Sequence, residues 1–150
     1  MARLKVSVLS KSPYPKRLLG EAGIFQNLWE GAMKFLCLIY QEEKREPNVP
    51  RDQIEQAKKD YWAFAEGIKK SGNYVGSHGL QHTDQATTVR VRNGKVSATD
   101  GPFAETKEQL GGYFLIEAKD RNEAIQIASR IPSAKWGSIE IRPVWSENGK

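Results

Sequence analysis

The 150 residues contain a single cysteine, Cys37, and only two histidines, His78 and His82. A lone thiol excludes an intramolecular disulfide, and with two histidines it makes a poor ligand set for a four-coordinate zinc site, so no metal is expected. The sparing use of cysteine suits a reducing cytoplasm, the expected location. No apolar run approaches the roughly 18 residues that a membrane-spanning helix needs, and no membrane partner is expected. The first ten residues begin with basic groups. Their apolar stretch is interrupted by serines and followed at once by Lys11, Pro13, Pro15, Lys16 and Arg17, which makes a poor signal peptide. There is no internal repeat and no low-complexity tract. The glycines form no phosphate-binding fingerprint, so neither a nucleotide nor another cofactor is expected.

Hydrophobic residues make up 39% of the chain and charged ones 27%, the profile of a chain that folds. The net charge of +5 raises the question of a nucleic-acid or acidic lipid partner. Its distribution answers it. Residues 1–32 hold Arg3, Lys5, Lys11, Lys16 and Arg17 against Glu21 and Glu30, which puts three of the five net charges in a basic arm. The remaining 118 residues, 33–150, are nearly balanced at +2, and nucleic-acid binding is not expected of them. Within the arm, Ile24, Phe25, Leu28 and Trp29 would share one face of a short helix, either docked or unused.

From Met33 the pattern sharpens. Lys34 to Tyr40 is a continuous apolar run that predicts a strand buried on both faces. Ile54, Ala57, Tyr61, Phe64, Ala65 and Ile68 recur at helical spacing. Asp52 and Glu55 resemble a capping box at its start, and Gly72 marks its stop. A loop over residues 76–83 follows. Thr87 to Arg92 alternates apolar and polar groups, and Asn93-Gly94 predicts a type I′ turn with Lys95 to Thr99 returning antiparallel. Asp100 to Phe103 is a turn, and Gly112 to Ala118 is another strand. A second helix starts at Asp120 and runs to Ile131 before Pro132. Ser138 to Arg142 is a last strand. This order predicts an α+β, ferredoxin-like split β-α-β fold, with two helices on one face of an antiparallel sheet. The other face carries apolar groups too, so a second copy is expected to cover it in a homodimer.

The strings Ala86-Thr-Thr-Val-Arg90 and Asp100-Gly-Pro-Phe-Ala-Glu-Thr-Lys-Glu108, with Gly111-Gly-Tyr113, closely resemble the YCII-related family in its DGPF-domain branch. The likeness extends from Met33-Lys-Phe-Leu-Cys-Leu-Ile-Tyr40 to Ile139-Glu-Ile-Arg-Pro143 and covers residues 33–148; the arm lies outside it. The resemblance implies the dimeric α+β barrel form of the ferredoxin-like fold. It also implies association with extracytoplasmic-function sigma factors, a regulatory context that fixes no reaction. Shorter members are enzyme-like, with a histidine near the opening of the first helix paired with an aspartate. Here that opening reads Pro50-Arg-Asp-Gln-Ile54 and offers no histidine, so the pair does not carry over.

The polar residues expected to line a small-molecule pocket are Tyr40, Arg90, Asp100, Glu105, Lys107, Glu140 and Arg142, with Glu108 beside them. Arg90 and Asp100 are the catalytic candidates. Arg90 and Arg142 occupy the polar phase of their strands. If those strands are neighbours, arginines and carboxylates would together bind a small polar metabolite and tune one carboxylate as a base. The competing account makes Asp100 a turn-holding side chain and Arg90, Glu140 and Arg142 cross-strand ion pairs. His78 and His82 read as polar loop residues, Cys37 as a small buried hydrophobe, and the scattered tryptophans as packing or interface groups. Two functions remain open. One is a metabolite-binding protein, with or without acid/base chemistry. The other is a non-enzymatic regulatory module associated with a sigma factor.

Overall fold

The computed structural model describes residues 32–145. The arm, apart from Ala32, lies outside the described residues. Six strands, β1 (Met33–Gln41), β2 (Tyr74–Gly79), β3 (Thr87–Arg92), β4 (Lys95–Asp100), β5 (Gln109–Ala118) and β6 (Ser138–Pro143), alternate with two helices, α1 (Arg51–Lys70) and α2 (Arg121–Ala128). The fold is α+β. A four-stranded antiparallel sheet runs in the order β2-β5-β1-β6, and β3 pairs with β4 in a separate hairpin.

Strand phase divides the sheet into two surfaces. Phe35, Cys37 and Ile39 of β1, with Phe114, Ile116 and Ala118 of β5, are buried on one face. There they pack against Phe64 and Ile68 of α1 and Ala124, Ile127 and Ala128 of α2, with Ile139 and Ile141 of β6 completing the layer. Both helices therefore lie on one face, as expected. The intervening residues Leu36, Leu38, Tyr113 and Leu115 are half-buried on the opposite face, where no described element covers them. The apolar run of β1 is thus fully buried on one side only.

The ends of α1 show local sequence at work. Gly72, at φ 77°, sits just beyond the helix. Its N–H donates to the Lys69 carbonyl at 3.1 Å and the Asn73 N–H to the Ile68 carbonyl at 3.0 Å, a Schellman closure. The expected capping box does not form. Pro50 occupies the N-cap position with no side-chain bond, and Asp52 sits in the first turn, where its charge suits the helix dipole. At α2 the equivalent signal is realised: Asp120 Oδ1 accepts from the Glu123 N–H at 2.8 Å, and Glu123 Oε2 accepts from the Lys119 N–H at 2.7 Å. This helix ends at Ala128 rather than Ile131, followed by a short turn over Pro132–Lys135.

Two further differences matter for function. The residues read as a loop after Gly76 begin with an edge strand, β2, whose Ser77 and His78 register with Phe114 and Tyr113 of β5. The hairpin has its predicted turn, with Asn93 at φ 51° and Gly94 at φ 73°. However, β3 and β4 bond only to each other and do not join the main sheet. No helix among the described residues is long and apolar enough to cross a membrane.

Candidate functional site

Only the second half of α1 reaches the core. Phe64 and Ile68 are buried and Tyr61 and Ala65 pack against it, while Ile54 remains 38% exposed. The buried helical face foreseen from the spacing therefore splits in two. Its first three turns overhang a cleft of about 1120 Å³ between α1, the ends of β1 and β2, and the segment before β5. The floor is aromatic. Tyr61 stacks on Phe114 with ring centroids 6.4 Å apart and planes 7° off parallel, and Phe64 meets the same ring edge-on at 5.0 Å. The Tyr61 hydroxyl and the buried Ser133 hydroxyl are hydrogen-bonded to each other. Burial pushes the Tyr61 phenol above its ordinary value, and the Ser133 bond partly offsets this.

At one end of the cleft, Lys69 extends its Nζ 5.3 Å from the Tyr74 ring centroid and 5.9 Å from that of Trp62. The Glu66 carboxylate accepts from that ammonium at 2.9 Å and holds it above its ordinary value. Tyr74 and Ser77 join their hydroxyls at 3.1 Å. At the other end stand Trp136, Lys107 and Glu108. The segment carrying Lys107 is braced on both sides. The Ser138 hydroxyl donates to Glu108 Oε2 at 2.7 Å, and the Thr106 hydroxyl donates to the Glu108 carbonyl at 2.6 Å. Trp62 is 73% exposed and Trp136 41% exposed, so two indoles present their rings to solvent at the rim of one cavity. Flat aromatic walls with amide, hydroxyl and charged groups around them suit a flat, largely apolar molecule bearing polar substituents.

The residues singled out from sequence fall in three places. Lys107 and Glu108 reach the cleft. Tyr40, Glu140 and Arg142 lie on the sheet face that carries no helix. There burial, then the neighbouring Glu140 carboxylate, raises the Tyr40 phenol, and Arg142 acts in the opposite sense. Arg142 Nε lies 3.6 Å from Glu140 Oε1, an ion pair along β6 rather than across strands. Arg90 and Asp100 sit on the separate hairpin and Glu105 on the exposed segment after it. The strands of Arg90 and Arg142 are not neighbours, because β6 pairs with β1 and β3 with β4, so the adjacency that would bring these arginines together is not met among the described residues. The Asp-Gly-Pro-Phe turn is held by the Thr88 hydroxyl donating to the Gly101 carbonyl at 2.8 Å. The Gly101 N–H also donates to the Ala86 carbonyl at 2.7 Å, and Arg90 donates to the Phe103 carbonyl at 3.4 Å. The Asp100 carboxylate takes no part in these bonds.

Several groups near these sites escaped the sequence reading. Trp62, Trp136 and the β2 pair Tyr74 and Ser77 come from three different parts of the chain, and only the folded sheet assembles them. His78 is held on β2, its Nδ1 3.0 Å from the Tyr113 hydroxyl on the helix-free face.

A ferredoxin-like sheet with this strand order and an inserted hairpin defines the class. Within it, residues 33–148 match the YCII-related domain, and the chain belongs to that family. It is also 32% identical over 114 residues to an uncharacterised protein of Rhizobium meliloti (strain 1021), an alignment covering 75% of this chain and 92% of the relative.

Proposed function

We propose that this YCII-related domain binds a flat, mostly apolar small molecule with polar substituents in the α1 cleft, and that it does so as a homodimer. The observation that carries the binding reading is the pair of solvent-facing indoles, Trp62 and Trp136, at the rim of a cavity floored by Tyr61 and Phe114. Exposed tryptophan costs apolar hydration, and two around one concavity favour a ligand that stacks on them. Lys107 is the one residue of the expected ligand-binding set with this placement, and it supplies a cation at the mouth.

The homodimer reading rests on the sheet face opposite the helices, where Leu36, Leu38, Tyr113 and Leu115 form adjacent rows. A two-fold axis brings the same surface from a second copy into the pairing.

Anilinonaphthalene sulfonate, an aromatic anion that brightens on desolvation, tests the cleft. Trp62→Ala and Trp136→Ala are each expected to weaken its binding about tenfold, in keeping with the loss of a stacking contact, while far-ultraviolet circular dichroism stays unchanged. Unaltered binding in both variants would contradict the proposal.

A further inference from the structure

The near balance of residues 33–150, at +2, conceals a local separation of charge on the β3–β4 hairpin. The register sets Thr88 opposite Thr99, Arg90 opposite Ser97 and Arg92 opposite Lys95, so these six side chains share one face. All of them except Thr88 are exposed. Asp100, the one carboxylate of the hairpin, stands opposite Thr87 on the other face, with the valines. Among the described residues the three cations pair with no carboxylate. Arg90 donates to the Phe103 carbonyl at 3.4 Å and Arg92 to the Val91 carbonyl at 2.9 Å, both neutral backbone groups. Like charges directly opposite on a ladder are destabilising, and Arg92 and Lys95 are such a pair, flanking the Asn93-Gly94 turn.

We infer that this cationic face binds the phosphate backbone of double-stranded DNA. Neither the cleft ligand nor the homodimer is needed for it. An anion seated between Arg92 and Lys95 replaces their repulsion with two attractions, and charged hydrogen bonds of this kind are the strong ones. Every side chain on the face carries a donor, and arginine, lysine, serine and threonine are the groups that contact phosphate oxygens. Arg90 and Arg92 stand about 7 Å apart along β3, and the backbone at Lys95 lies about 5 Å across from Arg92, so the three charges form one patch. A duplex carries one negative charge per roughly 1.7 Å of its axis, dense enough to meet all three at once. Acidic protein surfaces intersperse their carboxylates with other groups and meet such a patch less completely. The shape agrees with the charge: β3 and β4 bond only to each other, and a two-stranded ribbon is a form the major groove admits.

The test uses the full chain and a fluorescein-labelled DNA duplex of mixed sequence, with anisotropy read at salt concentrations from about 50 to 200 mM. The unsubstituted protein is expected to bind with an affinity that falls steeply with salt. Arg90→Gln/Arg92→Gln/Lys95→Gln is expected to weaken binding at least tenfold at the lowest salt and to flatten the log–log salt slope by about 1 for each phosphate contact removed, with circular dichroism unchanged. The basic arm is the same in both proteins, so the difference reads the hairpin alone. Arg90→Lys/Arg92→Lys keeps the charge and is expected to keep the slope. No duplex binding at the lowest salt, or equal affinity and slope in the triple variant, would overturn the assignment. Competition by poly-L-glutamate as effective, charge for charge, as by unlabelled duplex would overturn DNA as the occupant and give the face to an acidic protein.

Discussion

The hydroxyl of Tyr61, at the middle of α1, is hydrogen-bonded to that of Ser133, which lies 72 residues away and has no exposed surface. This bond lies where α1 leaves the core: toward the N-terminus no residue of the helix is fully buried, and Gln53, Ile54 and Ala57 line the cleft.

Tyr61→Phe removes one partner and strands a buried hydroxyl. A loss of about 1–3 kcal/mol is expected in urea unfolding, whereas Tyr61→Phe/Ser133→Ala, with both polar groups gone, should be less costly than the two single changes added together. Additive losses in the double-mutant cycle would show that the bond contributes little.

Gly137 is required by the neighbouring strand. A Cβ there would stand 2.2 Å from the Tyr40 carbonyl oxygen, a backbone atom that cannot swing aside. Gly137→Ala is expected to destabilise the fold by about 2–4 kcal/mol through displacement of β6 or β1. Gly76→Ala, where an added Cβ meets nothing within 4 Å, serves as the matched control and should change stability far less.

The Cys37 thiol gives a pH dependence of definite sign. Its value rises from 9.0 to about 11 on burial, so the unfolded chain releases this proton first. Stability from this group is therefore complete below pH 9 and is lost as the pH rises through about 11. Denaturant titrations across that range should show the decline, with a shallower one in Cys37→Ala. Equal slopes would assign the alkaline loss to other groups, the raised phenols of Tyr40 and Tyr61 among them.

Much of the fold was legible where local chemistry decides it. Asn93-Gly94 makes its turn because both positions need positive φ, and Asp120 with Glu123 caps α2 because nothing competes for the N-cap position. The Asp52/Glu55 signal failed because Pro50 already stands at the helix start. Strand β2 was illegible for a different reason. Gly76-Ser-His-Gly79 has little strand propensity, and its extension comes from pairing with β5. The candidate site suffered most. Alternation put Arg90, Glu140 and Arg142 on the polar phases of their strands, but it carries no information on which strands pair, and the pairing sets Arg90 on a separate hairpin from the Glu140–Arg142 ion pair. Trp62 and Trp136 line one cleft only because α1 and the turn before β6 lie on the same side of the sheet.

Ligand binding in the α1 cleft is read most directly by following the indole N–H resonances by heteronuclear NMR as anilinonaphthalene sulfonate is added to the full chain. Binding in the α1 cleft predicts that Trp62 and Trp136 shift together with one saturation curve while Trp145, which is 92% exposed and outside the cleft, stays in place. Shifts confined to Trp145 or to the hairpin amides, with Trp62 and Trp136 unmoved, would contradict it.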